Sequence, residues 1–203
     1  MNIYKSLCLL SAVILVLTSC TKEKSAEPDS AAISKTELLG EWNFVGMAAY
    51  TKSTSSATVA GKTTSNVVIT DYTTIENKGT LLISADQVIS NDLTYTIDTV
   101  MVAQQYINGV LKEEFKIPFN FTAPAASNTA HYTWVGTDSL YFSQGMITMP
   151  GNMPSVTSGA KIARAGDTLL LRGTYYDKRT EDQGGLKVLN ETQAIMVLKY
   201  KRR

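Results

Sequence analysis

From residue 36 onward, apolar residues recur at every second position, and this alternation limits the chain to a fold built from β-strands. The clearest run is residues 111–121. One side of this run is apolar with a single exception: Leu111, Glu113, Phe115, Ile117, Phe119 and Phe121. The other side carries Lys112, Glu114, Lys116 and Asn120. The pattern predicts a half-buried antiparallel strand.

Turn residues separate this run from similar ones. Asn108-Gly109 lies between residues 93–106 and 111–121, and it predicts a hairpin because a type I′ turn needs positive φ at both central positions. Further strands are predicted at 41–51, 66–76, 79–85, 130–135, 138–143, 160–164, 168–177 and 190–201. Other turns are predicted at 77–79, 136–138, 165–167 and 183–185. The one helix-like stretch is Lys35 to Leu39, about one turn.

About ten short strands joined by tight turns, without crossover helices, predict an all-β domain. We expect an antiparallel up-and-down meander that closes into a barrel of about 8–10 strands, because closure removes exposed strand edges. A β-sandwich is the structural alternative.

The first residues have the three parts of an export signal. Lys5 supplies a positive charge, and Leu7 to Leu17 is an apolar run of 11 residues, shorter than the roughly 20 that span a bilayer. The sequence Leu17-Thr18-Ser19-Cys20 resembles a lipobox, in which diacylglycerol is attached to the cysteine sulfur. The alternatives are an ordinary signal peptide followed by a chance cysteine, or a short membrane anchor.

The lipobox implies a signal peptide at residues 1–19 and a lipid attached to Cys20, with palmitate among the expected acyl groups. Two acyl chains make such an anchor stable. Residues 20–35 then form the lipidated end and a flexible tether, because they are small, charged and without periodicity. Residues 36–203 form the domain. We expect an exported protein that is anchored by lipid to a bacterial outer membrane. The side of the membrane, periplasmic or cell-surface, stays open.

Composition excludes several classes of function. Of the 19 Lys and Arg residues, Lys5 lies in the signal, which leaves 18 against 18 Asp and Glu. This balance argues against nucleic-acid binding. Cys8 also lies in the signal, so Cys20 is the one remaining cysteine and no disulfide, cysteine zinc site or thiol nucleophile is expected. The basic residues at 199–203 are interpreted as a solvated chain end.

The domain begins with Leu38-Leu39-Gly40-Glu41-Trp42. This Gly-x-Trp triplet after a short helical turn resembles the first signature of the lipocalins. Residues 34–203 resemble the lipocalin-like domains of small Bacteroidetes-type lipoproteins. The resemblance implies that Gly40 permits a tight entry to the first strand and that Trp42 closes the barrel base against a basic side chain, Arg172 or Lys199. It also implies a lid-like loop at residues 53–65. Lipocalins usually carry a helix after the eighth strand, whereas here Lys201-Arg202-Arg203 follows the last predicted strand.

The sequence offers little for catalysis, and no enzyme, cofactor or metal site is expected. His131 is the single histidine and has no acidic cluster or thiol nearby, so it is interpreted as structural or exposed.

Glu113 and Glu114 point to opposite faces of a strand and cannot act as a pair. Glu113 is expected at an exposed rim, with ligand contact as the alternative. The methionine-rich residues 146–154 are interpreted as an apolar loop over the barrel mouth rather than a copper(I) site.

These features predict a membrane-anchored module that binds a small hydrophobic or amphiphilic ligand. The alternative is a structural or interaction lipoprotein with a filled barrel and an envelope protein as its partner. The triplet Asp29-Ser30-Ala31 matches the Bacteroidetes-type O-glycosylation pattern, which makes Ser30 a candidate acceptor.

Overall fold

The computed structural model describes residues 33–143 and 158–203, which form one antiparallel sheet of ten strands after a short helix. The elements are α1 (Lys35–Leu38), β1 (Gly40–Val59), β2 (Lys62–Thr73), β3 (Ile75–Ile83), β4 (Gln87–Ile107), β5 (Val110–His131), β6 (Thr133–Val135), β7 (Ser139–Phe142), β8 (Ser158–Ala165), β9 (Thr168–Gln183) and β10 (Leu186–Arg202). The prediction of an all-β antiparallel fold is confirmed. Cys20, Ser30 and residues 146–154 lie outside the described residues.

The strands pair along one continuous path. The path begins with β5 and β4, continues through β2 and β3, which share one position, and then runs through β1, β10, β9, β8, β7 and β6. Strands β2 and β3 lie end to end between β1 and β4, so hydrogen bonds run in a ring through these four strands. Consecutive strands pair as expected for a meander except at two places: β2 and β3 lie end to end, and among the described strands no pairing joins β5 to β6, which are the two ends of the path.

The core lies at one end of the sheet, next to α1. Its cluster of buried side chains includes Tyr95 and Ala123 from β4 and β5 and also Leu140 and Ile162 from β7 and β8. These strands are far apart in the sheet order, so the sheet must curve to bring them together. The hydroxyl of Tyr132 donates to the carbonyl oxygen of Ser84 at 2.7 Å, which joins the end of β5 to the turn between β3 and β4.

Beyond the core, the longest strands continue as a second region that we call the sheet extension, comprising residues 51–73, 98–122 and 174–195. Among the hydrophobic residues described there, Val67 and Val188 are buried and the others are partly or fully exposed. The main contacts between strands join hydrogen-bonded neighbours. The sheet extension is therefore a single layer with two accessible faces.

The expected loop at residues 53–65 is wrong, because this segment belongs to the β1–β2 hairpin, whose turn is Ala60-Gly61. Serine and threonine hydroxyls pair across the two strands, as between Thr58 and Thr63 at 2.8 Å. Threonine has a high strand propensity, and cross-strand hydroxyl pairs add to it. A polar composition alone therefore does not indicate a loop here.

The expected turn at residues 77–79 is also wrong, since these residues lie within β3. The strand bulges there, with positive φ at Glu76 and Gly79 and a shift in its register against β4. Asn77 stabilises the bulge by donating to the carbonyl oxygens of Val45 and Thr74, each at 3.1 Å. In contrast, the Asn108-Gly109 turn is confirmed, with φ of 48° and 78°.

Candidate functional site

The Gly-x-Trp segment lies at the core end of the sheet. Trp42 is 1% exposed, and its ring nitrogen donates to the carbonyl oxygen of Leu38 at 2.9 Å. The guanidinium of Arg202 lies over this ring, 5.0 Å from its centroid, which is a cation–π contact. The same guanidinium donates to the carbonyl oxygens of Glu37 at 2.7 Å and Leu39 at 3.0 Å. Together these contacts satisfy the carbonyl groups at the end of α1.

The basic side chain over Trp42 therefore comes from Arg202, whereas the resemblance pointed to Arg172 or Lys199. Leu171 and Leu198 are buried in the core, and side chains alternate along a strand, so Arg172 and Lys199 point to the outer face of the sheet. Residues 201–203 are exposed, as expected for a solvated chain end, but Arg202 also contacts Trp42 and the end of α1. The start of β1 must also pass close to this guanidinium. Gly40 has φ of 119°, and a Cβ there would lie 3.3 Å from Nη2 of Arg202.

The core-facing side of the sheet continues into the sheet extension, and we call this continuation the inner face. Residues opposite one another in antiparallel strands share a face. Ala49 and Met196 are opposite each other in the core. Every second residue along β1 and β10 from this pair towards the far hairpin lies on the same face. One row across the inner face, from β5 to β9, is Phe115, Ala103, Val68, Ser53, Thr192 and Asp177. The next row outward is Glu113, Gln105, Asn66, Ser55, Asn190 and Arg179.

Hydrophobic side chains concentrate on the β5 side of the inner face. We call this group the apolar strip: Phe115, Ile117, Phe119 and Phe121 of β5, Met101 and Ala103 of β4, and Val68 of β2. Phe115 is 55% exposed, Ile117 43% and Phe121 39%. Phe119 packs against the core cluster and stacks on Phe121, with ring centroids 6.5 Å apart. The predicted alternation is present from Glu113 to Phe121, whereas a register shift places Leu111 opposite Tyr106 on the other face. Among the described residues nothing covers the apolar side.

A shallow pocket of about 350 Å³ lies beside the apolar strip. We call it the polar pocket, and it is lined by Ser53, Thr54, Ser55, Asn66, Val68, Arg179, Asn190 and Thr192. Val68 belongs to both sites, so they are continuous. The hydroxyls of Ser53 and Thr192 are 3.3 Å apart, and within the described chain the amides of Asn66 and Asn190 make no side-chain hydrogen bond. These amides are free to donate to and accept from a ligand.

The charges of the sheet extension are divided between its faces. Arg179 is the one basic side chain of the two rows described above, and its Nε lies 3.0 Å from Glu181 and 3.7 Å from Asp177. With Glu113, this face carries three carboxylates against the guanidinium of Arg179 and the side chain of Lys62, which pairs with Val59 at the far hairpin. The outer face carries lysines such as Lys52 and Lys116. The inner face is therefore hydroxyl-rich and slightly acidic.

The other residues considered from sequence are dispersed. Glu113 is exposed near the Asn108-Gly109 turn, as expected for a rim position. Glu114 is on the opposite face, where it accepts from Gln104 at 2.8 Å. His131 is 64% exposed, and its Nδ1 lies 3.9 Å from Asp86. In the two described segments, no group of three or more His, Cys, Asp and Glu side chains is placed to hold a metal ion.

The buried tyrosines have a structural role in the core. Burial raises the pKa of Tyr95 to about 12, with a further contribution from Tyr72. Burial also raises the pKa of Tyr200, which is fully enclosed and packs against Phe44 at 5.4 Å between ring centroids. A high pKa keeps both phenols neutral, so neither is prepared to act as a base at ordinary pH.

The described helix is too short and insufficiently apolar to cross a membrane. Comparison with protein-family models, with curated proteins and with solved structures finds no match to this chain.

Proposed function

We propose that this protein is a lipid-anchored binding module of the bacterial envelope that holds a small hydrophobic or amphiphilic ligand on its inner face, without catalysis. The observation that carries the proposal is the exposure of the apolar strip, in which Phe115 and Ile117 are 55% and 43% exposed. Soluble proteins seldom leave a contiguous apolar patch uncovered unless it binds something. Attachment through Cys20 and location at the outer membrane are part of the proposal and rest on the lipobox.

The proposal includes a lipocalin-like origin for the fold. Support comes from the core end of the sheet, where Gly40 and Trp42 occupy the positions implied by the resemblance and Arg202 supplies the basic partner. In this view the ligand site is the uncovered inner face above the core. The buried cluster fills the space next to α1.

Fluorescence of N-phenyl-1-naphthylamine, an uncharged probe that brightens in apolar surroundings, tests the proposed function. The sample is residues 21–203, which include every described residue. We expect saturable brightening with the parent protein and a loss of about tenfold in affinity for Phe115→Ser, since one aromatic side chain contributes about 1.5 kcal/mol or more of burial. Tyr176 is 59% exposed and on the outer face, so Tyr176→Ser is the matched control and should bind normally. Equal binding by all three proteins would contradict the proposal.

A second candidate is an envelope interaction protein, and the long strand β5 favours it. This strand has 22 residues and pairs with β4 alone among the described strands, so it presents an edge to which another chain could add. Native mass spectrometry of the protein purified from its host separates the two candidates. A small molecule that co-purifies supports ligand binding, whereas a ligand-free protein bound to an envelope protein supports the second candidate.

A further inference from the structure

The two sites on the inner face form one surface that changes from apolar to polar across the sheet. In the row that begins at Phe115, hydrophobic side chains occupy β5, β4 and β2, and polar side chains occupy β1, β10 and β9. Neighbouring strands are about 4.8 Å apart, so the change takes place within roughly 10 Å of Val68. A molecule that lies across the strands would therefore meet both environments.

The chemistry of the polar pocket selects the polar part of such a molecule. Its lining offers serine and threonine hydroxyls and the amides of Asn66 and Asn190, which both donate and accept hydrogen bonds. Groups that do both are complementary to the hydroxyls of a polyol or sugar. Because the pocket is open to solvent, the cost of desolvating these groups is small when each finds a partner.

The charges nearby disfavour an anion. The guanidinium of Arg179 already lies close to Glu181 and Asp177, and Glu113 adds a third carboxylate to the same face. An anionic head group would have to compete for Arg179 and would meet a net negative field. A permanent cation would meet no aromatic side chain in the pocket lining to stabilise it.

We infer that the ligand is an amphiphile with an uncharged, hydroxyl-rich head group, whose tail lies on the apolar strip and whose head occupies the polar pocket. This inference rests on the proposed function and adds the class of the head group and its position.

The test compares three amphiphiles with the same octyl tail, each below its critical micelle concentration: octyl glucoside, octyl sulfate and octyltrimethylammonium. Calorimetric titration of residues 21–203 gives their affinities, and free glucose reports the head group alone. We expect octyl glucoside to bind about tenfold more tightly than either charged amphiphile, and free glucose to bind far more weakly. Asn66→Ala and Asn190→Ala should each weaken octyl glucoside binding about fivefold, as expected for one lost hydrogen bond. Neither change should alter the affinity for N-phenyl-1-naphthylamine.

Asn120→Ala is the matched control, because Asn120 is an exposed asparagine of β5 on the outer face. It should leave octyl glucoside binding unchanged. Equal binding of the three amphiphiles, or tightest binding of octyl sulfate or octyltrimethylammonium, would overturn the inference but leave the proposed function in place. Failure of all three amphiphiles and of N-phenyl-1-naphthylamine to bind would overturn both.

Discussion

The guanidinium of Arg202 lies 5.0 Å from the centroid of the Trp42 ring, and this contact joins the last strand to the first at the core end of the sheet. Arg202 also bonds to two carbonyl oxygens at the end of α1. We therefore expect Arg202→Ala to lower the free energy of unfolding by about 2 kcal/mol, measured by urea denaturation. Arg203 makes an exposed ion pair with Glu41, so Arg203→Ala should cost less than about 0.5 kcal/mol. Similar losses in the two variants would show that the stacked contact contributes nothing specific.

The bulge in β3 depends on a close approach of two backbones. A Cβ at Gly79 would lie 2.7 Å from the carbonyl oxygen of Asn91 and 2.8 Å from that of Asp92. Gly79→Ala should therefore cost about 3 kcal/mol or more, because rigid backbone must move as well as adopt a strained φ. Gly109 has positive φ but open space around it, so Gly109→Ala should cost only about 1–2 kcal/mol. Thermal unfolding of the two variants checks this difference, and an equal effect would rule out the backbone clash.

The hydroxyl of Tyr200 is buried, and it has no hydrogen-bond partner in the described structure. An unpaired hydroxyl in an apolar core costs about 1–3 kcal/mol. Tyr200→Phe removes this group without changing the packing of the ring, so it should raise the free energy of unfolding by about 1 kcal/mol. Tyr132 donates a hydrogen bond through its hydroxyl, and Tyr132→Phe should be destabilising instead. A loss of stability in Tyr200→Phe would indicate that its hydroxyl has a partner.

Stability should fall at alkaline pH because of the core tyrosines. Burial raises the pKa of Tyr95 to about 12 and also raises that of Tyr200, so the folded protein retains these protons where the unfolded chain, titrating near pH 10, does not. The stabilising effect of each tyrosine is complete below about pH 10 and then declines at about 1.4 kcal/mol per pH unit. The contribution of Tyr95 is lost as the pH rises through 12. Urea denaturation from pH 8 to pH 12 measures this loss. The double variant Tyr95→Phe, Tyr200→Phe should show a shallower decline, while the exposed Tyr176→Phe should follow the parent.

The proposed lipid anchor predicts a chemical modification at one cysteine. When the full chain is expressed in a bacterium supplied with labelled palmitate, we expect the label in the parent protein and none in Cys20→Ala. Cys8→Ala is the matched control, because Cys8 lies in the predicted signal and should not be needed for labelling. Equal labelling of the parent and Cys20→Ala would contradict attachment at Cys20.

The hairpins between consecutive strands were predictable because local signals specify them. Asn108-Gly109 requires a left-handed turn, and the glycines at 166, 184 and 185 have positive φ between paired strands. The bulge at residues 77–79 was not predictable in the same way. Asn-Lys-Gly is a turn signal, and contacts with residues distant in sequence, such as the carbonyl oxygen of Val45, make it a strand irregularity instead. Strand length was underestimated where serine and threonine dominate.

The candidate site shows the same limit. Alternation placed Phe115, Ile117 and Phe121 on one face of a strand, which is a local property. Whether that face is covered depends on how far the neighbouring strands extend beyond the core, and no short-range signal reports that distance. The polar pocket combines residues from four strands, including Asn66 and Asn190, which are far apart in sequence. Arg202 was overlooked because a basic chain end has the same composition whether or not it folds back on a tryptophan.

The unequal burial of the sheet also has a consequence for the proposed anchor. Ile33 is 2% exposed within the core cluster, so the preceding residues join the domain at its core end. Strand β1 has 20 residues and at about 3.3 Å per residue carries the far hairpin about 60 Å from that end. An anchor at Cys20 would therefore attach to the opposite end of the molecule from Phe115 and the polar pocket. Because the tether is expected to be flexible, this arrangement allows the ligand site to extend away from the bilayer, where headgroups would not obstruct a ligand.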